Sequence, residues 1–244
     1  MDPQHSQFFW IRDGHACINA SPCTVSASEA SEILNTAIDS EQIHSILIKG
    51  ARESSAPHYW TVEPWIQGLS SSSIQQLQTL VIDTPEQQLN RQFGVFIGDI
   101  SEILNKNKNL TDLFVSGAFS LSSVSYSQTK RLHIANRYLT VDDLSVITGH
   151  TFPALETISI HSGDSGIALE PAFNTDFASI LGRIETLREL YLDDWHSPSD
   201  ILQALLESGA VEKFQVLHLD AFEFSDDPDS VSYTHLTLPT TPYV

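Results

Sequence analysis

The sequence has few basic residues and only two cysteines. Its 244 residues include 12 Lys or Arg against 31 Asp or Glu, which gives a formal net charge of -19. Because a field of this sign repels phosphate backbones, we predict that nucleic acid is not a partner. The cysteines, Cys17 and Cys23, provide neither a disulfide framework nor the spacing of a zinc site, so we expect both thiols to be reduced.

Long hydrophobic runs are also missing. No segment approaches the roughly 18–20 apolar residues that a membrane span requires. Near the start, the apolar run Phe8–Ile11 has only four residues and is followed by Arg12 and Asp13, which is unlike a signal peptide. These features predict a cytoplasmic location without membrane association.

Seven segments share one pattern: an apolar residue, two free positions, a second apolar residue, one free position and a third apolar residue. The clearest copies are Leu187–Asp194 and Phe214–Ala221. The others are Ile43–Ile48, Leu77–Ile82, Leu110–Val115, Leu155–Ile160 and a weaker copy, Thr129–Ile134, with Thr129 in the first apolar position. This is the strand pattern of a leucine-rich repeat.

Helical patterns precede the first of these strands and occupy several of the intervals between them. The predicted helices are Ser26–Ile38, Asp99–Asn105, Thr140–Gly149, Thr175–Gly182 and Ser197–Ser208. In the last of them, Ser197 is expected to cap the helix and Pro198 to take its first position. The alternation predicts an α/β fold, a leucine-rich-repeat solenoid or horseshoe with about seven parallel inner strands and helices outside.

The repeat pattern divides the chain into three predicted parts. Residues 1–40 are expected to form an N-terminal cap, with a short strand followed by a helix, and residues 41–230 the solenoid, with insertions at Gly50–Ser73 and Thr84–Phe93. Residues 231–244 resemble the translation of a sequencing adapter, so we expect them to be a non-native tail. The native chain is then expected to continue beyond about Asp229.

Because side chains alternate across a strand, the free positions of the pattern should share one exposed face. Equal positions stack into columns, and the predicted central column is Leu47, Val81, Phe114, His133, Ser159, Tyr191 and His218. We predict that a partner binds to this concave face through Phe114, His133, His161, Glu189, Tyr191, Asp193, His218 and Asp220. The alternative is that these are ordinary solvated strand residues and the partner binds elsewhere.

The charge of the later repeats favours a basic protein as that partner. Between Glu185 and Asp229, acidic side chains outnumber basic ones by twelve to two. Such a surface attracts cationic partners, although it also serves solubility alone. The expected function is therefore a non-enzymatic protein-interaction module.

The sequence gives little support for a catalytic or metal-binding site. His161, Asp193, His218 and Asp220 fall on neighbouring predicted strands, but no known metal-ligand spacing is present, so we predict neither metal nor cofactor. Ser159 lies near His133 without a G-x-S-x-G elbow around it. Asp193 and its neighbour Asp194 are expected to point to opposite faces, which would prevent them from acting as a paired acid and base.

Two other functions stay open at this point. The repeats could be the scaffold of a larger enzyme or sensor whose catalytic domain lies further along the chain. They could also bind a small ligand or carbohydrate, with Tyr191 and its neighbours as contacts.

The chain resembles the cytoplasmic leucine-rich-repeat proteins of bacteria, in particular one family without an established activity. The resemblance rests on a strand at Phe9–Arg12, a helix, the strand Ile43–Ile48, and the strings L-Q-T-L-V-I-D and L-T-D-L-F-V-S-G. The chain is also similar in architecture to the ribonuclease-inhibitor class, in which an acidic horseshoe binds a basic enzyme. It departs from that class in its irregular repeat spacing, its missing cysteines and its shorter arc.

Overall fold

The structure is a computed structural model. It describes residues 9–20, 26–40, 43–50, 62–71, 74, 76–83, 96–121, 124–135, 144–148, 150–162, 171–195 and 197–221. These residues belong to two compact units, one ending at Thr129 and the other beginning at Lys130. Both units combine helices with largely parallel strands, which confirms the mixed α/β class.

The first unit contributes five neighbouring, paired strands. Its strands, in spatial order, are β1 (Phe9–Arg12), β2 (His15–Ala20), β3 (Ser45–Gly50), β4 (Thr79–Asp83) and β6 (Asp112–Ser116), all parallel except for the antiparallel pair β1 and β2. Two further strands, β5 (Phe96–Asp99) and β7 (Ala118–Ser120), pair separately. The helices are α1 (Ala27–Ser40), α2 (Glu63–Ser71) and α3 (Ser101–Lys106).

In the second unit, four parallel strands lie in sequence order. They are β8 (Arg131–Ala135), β9 (Thr157–His161), β10 (Glu189–Trp195) and β11 (Val216–Ala221). Its helices are α4 (Pro171–Gly182) and α5 (Pro198–Glu207), followed by a 3-10 helix at Ala210–Lys213. Within the described ranges of both units, no helix has the length and apolar character to cross a membrane.

All seven segments with the repeat pattern form strands, so this prediction is confirmed. Each strand begins two residues after the first apolar position, as β10 does after Leu187. That first apolar residue is buried in every copy, including the weak one, where Thr129 has no exposed surface. The Thr129 hydroxyl donates to the Leu110 carbonyl oxygen at 3.4 Å, and this bond allows a polar residue to occupy the position.

The helix starts follow from local capping chemistry. At the start of α1, the Glu29 amide donates to the Ser26 hydroxyl oxygen at 3.3 Å, while the Ser26 amide donates to Glu29 Oε2 at 2.8 Å. This reciprocal pair is a capping box. Ser197 stands at the corresponding position before α5, but its side chain makes no capping hydrogen bond. The prediction of a Ser197 cap is therefore wrong, and Pro198, with its fixed φ, begins this helix instead.

The other helix predictions are confirmed in part. Helices α3 and α4 occupy the predicted regions, although α4 begins at Pro171, four residues before the predicted Thr175. Leu144 and Ser145 are helical, while much of the predicted helix Thr140–Gly149 lies outside the described residues. The insertion Thr84–Phe93 and the tail at 231–244 lie outside them as well. The predicted boundary between a cap and a solenoid stays a prediction.

Helix α2 lies inside the segment that was expected to be an insertion, Gly50–Ser73, and it packs closely on α1. A methyl group on the Gly68 Cα atom would lie 3.0 Å from both the Ala30 side chain and the Ser31 backbone nitrogen. Contacts this short force one of the two helices to shift. The absence of a side chain at Gly68 therefore sets the distance between α1 and α2.

We expect Gly68→Ala to destabilise the first unit. Overpacking costs about 1–3 kcal/mol, whereas the better helix propensity of alanine offsets about 1 kcal/mol of this loss. Gly182→Ala is the matched control, because the nearest atom to its added methyl group would be 3.8 Å away. Urea unfolding followed by circular dichroism should show a lower midpoint for Gly68→Ala alone, and equal midpoints would contradict the close packing.

Strands β8–β11 of the second unit are called the second sheet here, and its buried side faces the helices of that unit. Leu190 and Leu192 have no exposed surface, and Trp195 stacks on Phe177 of α4 with ring centroids 5.7 Å apart. The Trp195 indole nitrogen donates to Asn174 Oδ1 at 3.2 Å. These contacts fix which side of β10 is covered and leave the other side available for contacts.

Leu190→Ala should lower the free energy of unfolding by about 2–5 kcal/mol, because it leaves a cavity in a closely packed core. Leu206→Ala makes the same chemical change on α5, where the side chain is 59% exposed, and should have little effect. Chemical denaturation of the two variants provides the comparison. A loss of similar size in both would show that Leu190 is not a core residue.

Candidate functional site

One side of the second sheet carries polar and aromatic side chains that are partly exposed. Along β10, buried Leu190 and Leu192 alternate with partly exposed Glu189, Tyr191 and Asp193. The strands are in register, so Tyr191 lies between Ser159 of β9 and His218 of β11. We call this side the polar face; it comprises Arg131, His133, Thr157, Ser159, His161, Glu189, Tyr191, Asp193, Asp194, Val216, His218 and Asp220.

A β-bulge near the end of β10 changes the direction of its side chains. The register with β11 shifts between Leu192 and Trp195, and Asp194 has a φ of 53°. Ser162 holds this backbone, since its amide donates to the Asp193 carbonyl at 3.1 Å and its hydroxyl to the Asp194 carbonyl at 2.5 Å. An extra residue in one strand interrupts the regular alternation of side chains.

The bulge places Asp193 and Asp194 on the same face. Asp194 Oδ2 lies 3.2 Å from His161 Nε2, and Asp193 Oδ1 lies 3.2 Å from His218 Nε2. The expectation that these adjacent carboxylates point to opposite faces is therefore wrong, because it assumed an unbroken strand. The four side chains are 23–35% exposed, so water screens both pairs and each contributes little to stability.

His133 and Ser159 form a third polar pair on the polar face. His133 Nδ1 and Ser159 Oγ are 2.8 Å apart, and the tautomer of the ring decides which atom donates. Burial lowers the pKa of His133; Asp193 opposes this effect, and His161 adds to it. His133 is therefore uncharged at neutral pH. In the sequence, no G-x-S-x-G elbow surrounds Ser159.

Tyr191 lies at the centre of the polar face. Its ring centroid is 6.1 Å from that of His218. Burial raises the pKa of Tyr191, and the charge and hydrogen bond of Glu189 raise it further, so the phenol is neutral. Glu189 is held from the other side by the Thr157 hydroxyl, which donates to its Oε2 at 3.1 Å. Tyr191 thus presents an aromatic ring beside a fixed carboxylate.

Seven of the eight predicted contact residues lie together on the polar face. They are His133, His161, Glu189, Tyr191, Asp193, His218 and Asp220. The eighth, Phe114, lies on β6 in the first unit, where it is partly exposed and pairs with Val81. Sequence reasoning missed Asp194, because no residue type in the pattern signals the bulge. Whether these residues bind a partner stays a prediction.

Metal coordination at this face finds no geometric support. Within the part of the chain that the structure describes, no three His, Cys, Asp or Glu side chains are grouped so that they could hold a metal ion. The two His–Asp contacts are separate pairs rather than one convergent site.

This chain is similar in fold to a protein of known structure. A crystal structure of a protein from Bacteroides fragilis, solved by a structural genomics consortium, matches with a TM-score of 0.60 and 18% sequence identity. The match covers 80% of this chain and 57% of that chain, so this chain spans less than two thirds of its length. No protein-family model and no curated protein sequence matches. At this identity the comparison shows a similar fold, and membership of a leucine-rich-repeat family stays a prediction.

We expect the stability of the second unit to depend on His133 in acid. Burial lowers the pKa of His133 in the folded state, so the unfolded chain takes up its proton more readily. The contribution of His133 is complete above the ordinary histidine pKa of ~6.5 and is lost as the pH falls through the folded value. Urea unfolding at pH 7.5 and pH 5.0 should show a smaller loss for His133→Gln than for the wild type.

His150→Gln is the control for this measurement, because His150 is exposed. This variant should lose as much stability in acid as the wild type. If His133→Gln behaves like His150→Gln, burial of His133 does not contribute to the pH dependence.

Proposed function

We propose that the protein is a non-enzymatic interaction module, built as a leucine-rich-repeat solenoid, which binds a basic protein through the polar face. The observation that carries this proposal is the difference in polarity and burial between the two sides of the second sheet. One side is apolar and buried, while the other presents Tyr191, three histidines and four carboxylates in partial contact with solvent.

The repeat geometry supports a solenoid. The seven repeat strands begin at the same point of the pattern. Six of these strand starts also have one type of bond in the described residues, in which a strand amide donates to a carbonyl before the preceding strand, as Glu189 does to Glu156 at 3.1 Å and Val216 to Arg188 at 3.2 Å. A repeated unit that stacks in this way produces an extended surface for partner binding.

The composition of the polar face supports a protein partner. Tyrosine offers a large, rigid contact area with little loss of side-chain entropy, and aromatic residues supply many of the strongest contacts in interfaces. Around Tyr191, the carboxylates of Glu189, Asp193, Asp194 and Asp220 exceed the positive charge of Arg131. This excess favours a cationic partner surface and its rapid association. A cytoplasmic location is part of the proposal, in keeping with the free, buried thiol of Cys17.

Tyr191→Ala and His218→Ala should each weaken partner binding without unfolding the chain. Both side chains are partly exposed, so their loss removes contact area and leaves the leucine core intact. Immobilised wild-type and variant proteins would be compared for the partner that they capture from cell extract at two salt concentrations. Higher salt should reduce capture, since exposed charges are screened over about 8–10 Å.

Tyr126→Ala is the matched control, because Tyr126 is 41% exposed and belongs to the first unit. Immobilised Tyr126→Ala should capture as much of the partner as the wild type does. Circular dichroism and the unfolding midpoint of each variant confirm that the fold is kept. Equal capture by the wild type, Tyr191→Ala and His218→Ala would show that the polar face is not the contact surface.

A further inference from the structure

The two His–Asp pairs join three neighbouring strands of the second unit. His161 of β9 contacts Asp194 of β10, and His218 of β11 contacts Asp193 of β10, each with a nitrogen–oxygen distance of 3.2 Å. Because of the bulge in β10, the consecutive residues Asp193 and Asp194 contact histidines on the two strands that flank β10. Two carboxylates of the polar face, Asp193 and Asp194, therefore have basic groups of the same chain directly beside them.

The charge of this arrangement changes with protonation. Histidine is the side chain that ordinarily gains its charge between about pH 5 and 8. The other ionisable groups on the polar face are Arg131 and His133 on β8, Glu189 and Tyr191 on β10, and Asp220 on β11. With both paired histidines neutral, four carboxylates face one guanidinium; when both are protonated, two of the carboxylates have a cation in contact.

We propose that the His161–Asp194 and His218–Asp193 pairs are a proton-dependent control of partner binding at the polar face. The proposal rests on the proposed function. In the neutral state, the imidazoles add no positive charge beside the carboxylates, so a basic partner is attracted. In the protonated state, the imidazolium groups neutralise Asp193 and Asp194 and compete with the cations of the partner.

The position of the pairs makes such competition effective. Their side chains are 23–35% exposed, so a partner cation approaching Asp193 or Asp194 meets the same oxygen atoms that the histidines contact. The ring of His133 lies next on the sheet and contacts Ser159 at 2.8 Å, and burial lowers the pKa of this histidine. The control is assigned to His161 and His218, because these two histidines contact carboxylates.

The binding test uses a nine-residue oligoarginine peptide and the full chain, with affinity measured at pH 7.5 and pH 5.5. The wild type should lose affinity in acid by roughly two- to fivefold for each neutralised carboxylate, the range that partly exposed ion pairs display. The double variant His161→Asn, His218→Asn should lose much less. The control double variant His15→Asn, His150→Asn, which alters two exposed histidines elsewhere, should respond to pH like the wild type.

The variants separate the failure of this proposal from that of the proposed function. If the His161→Asn, His218→Asn variant keeps the full pH response, the proton control is wrong, although a basic partner can still bind. If the wild type binds the peptide no more tightly at pH 7.5 than the variant Asp193→Asn, Asp194→Asn does, the basic-partner assignment is wrong as well.

A second measurement tests the pairs without any ligand. A double-mutant cycle of His161→Asn and Asp194→Asn gives the coupling between the two side chains from four unfolding curves. The coupling should be larger at pH 5.5 than at pH 8.0, because only an imidazolium forms an ion pair with the carboxylate. Equal coupling at both pH values would overturn the proposal, even if peptide binding itself varies with pH.

Discussion

In-register pairing of parallel strands is the constraint on which the rest of the structure depends. Side chains alternate across each strand, so pairing equal positions of the repeat collects the leucines on one side and the free positions on the other. Leu190 of β10 meets Ile158 of β9 and Leu217 of β11, and all three are buried. A slip of one residue would exchange the buried and exposed sides, so the apolar core itself fixes the composition of the polar face.

The bulge in β10 shows how this constraint is broken locally and with what effect. A non-glycine residue with φ of 53° is uncommon, and it persists where the surroundings hold it, as Ser162 does here through two hydrogen bonds. Because the break comes after Leu192, the core positions of β10 keep their pairing. The result is a further carboxylate, Asp194, on the polar face, while the buried side is unchanged.

Sequence predicts the features that follow from a repeated burial pattern and misses those that depend on single contacts. All seven strands were found because an apolar residue in each copy must be buried, and even Thr129 fits that position. Helix α2 was missed because the prolines and the serine run of this segment indicated an insertion, although Trp65, Ile66 and Leu69 follow helical spacing and are buried. Asp194 was missed as well, since neither of two consecutive aspartates indicates which of them will take the unusual backbone angle. Ser197 failed as a cap because residue type permits a capping bond without requiring it.

A control based on His–Asp pairs is compatible with this fold because the pairs contribute little to its stability. Exposed ion pairs are worth about 0–1 kcal/mol, whereas each buried leucine of the sheet is worth several times more. Under the proposed control, a change of charge at His161 or His218 therefore leaves the leucine core, which keeps the strands in place, unaffected. A buried pair would act differently, since a change of charge there would destabilise the sheet along with the interface. The partial exposure of these four side chains is thus what allows charge to vary independently of the fold.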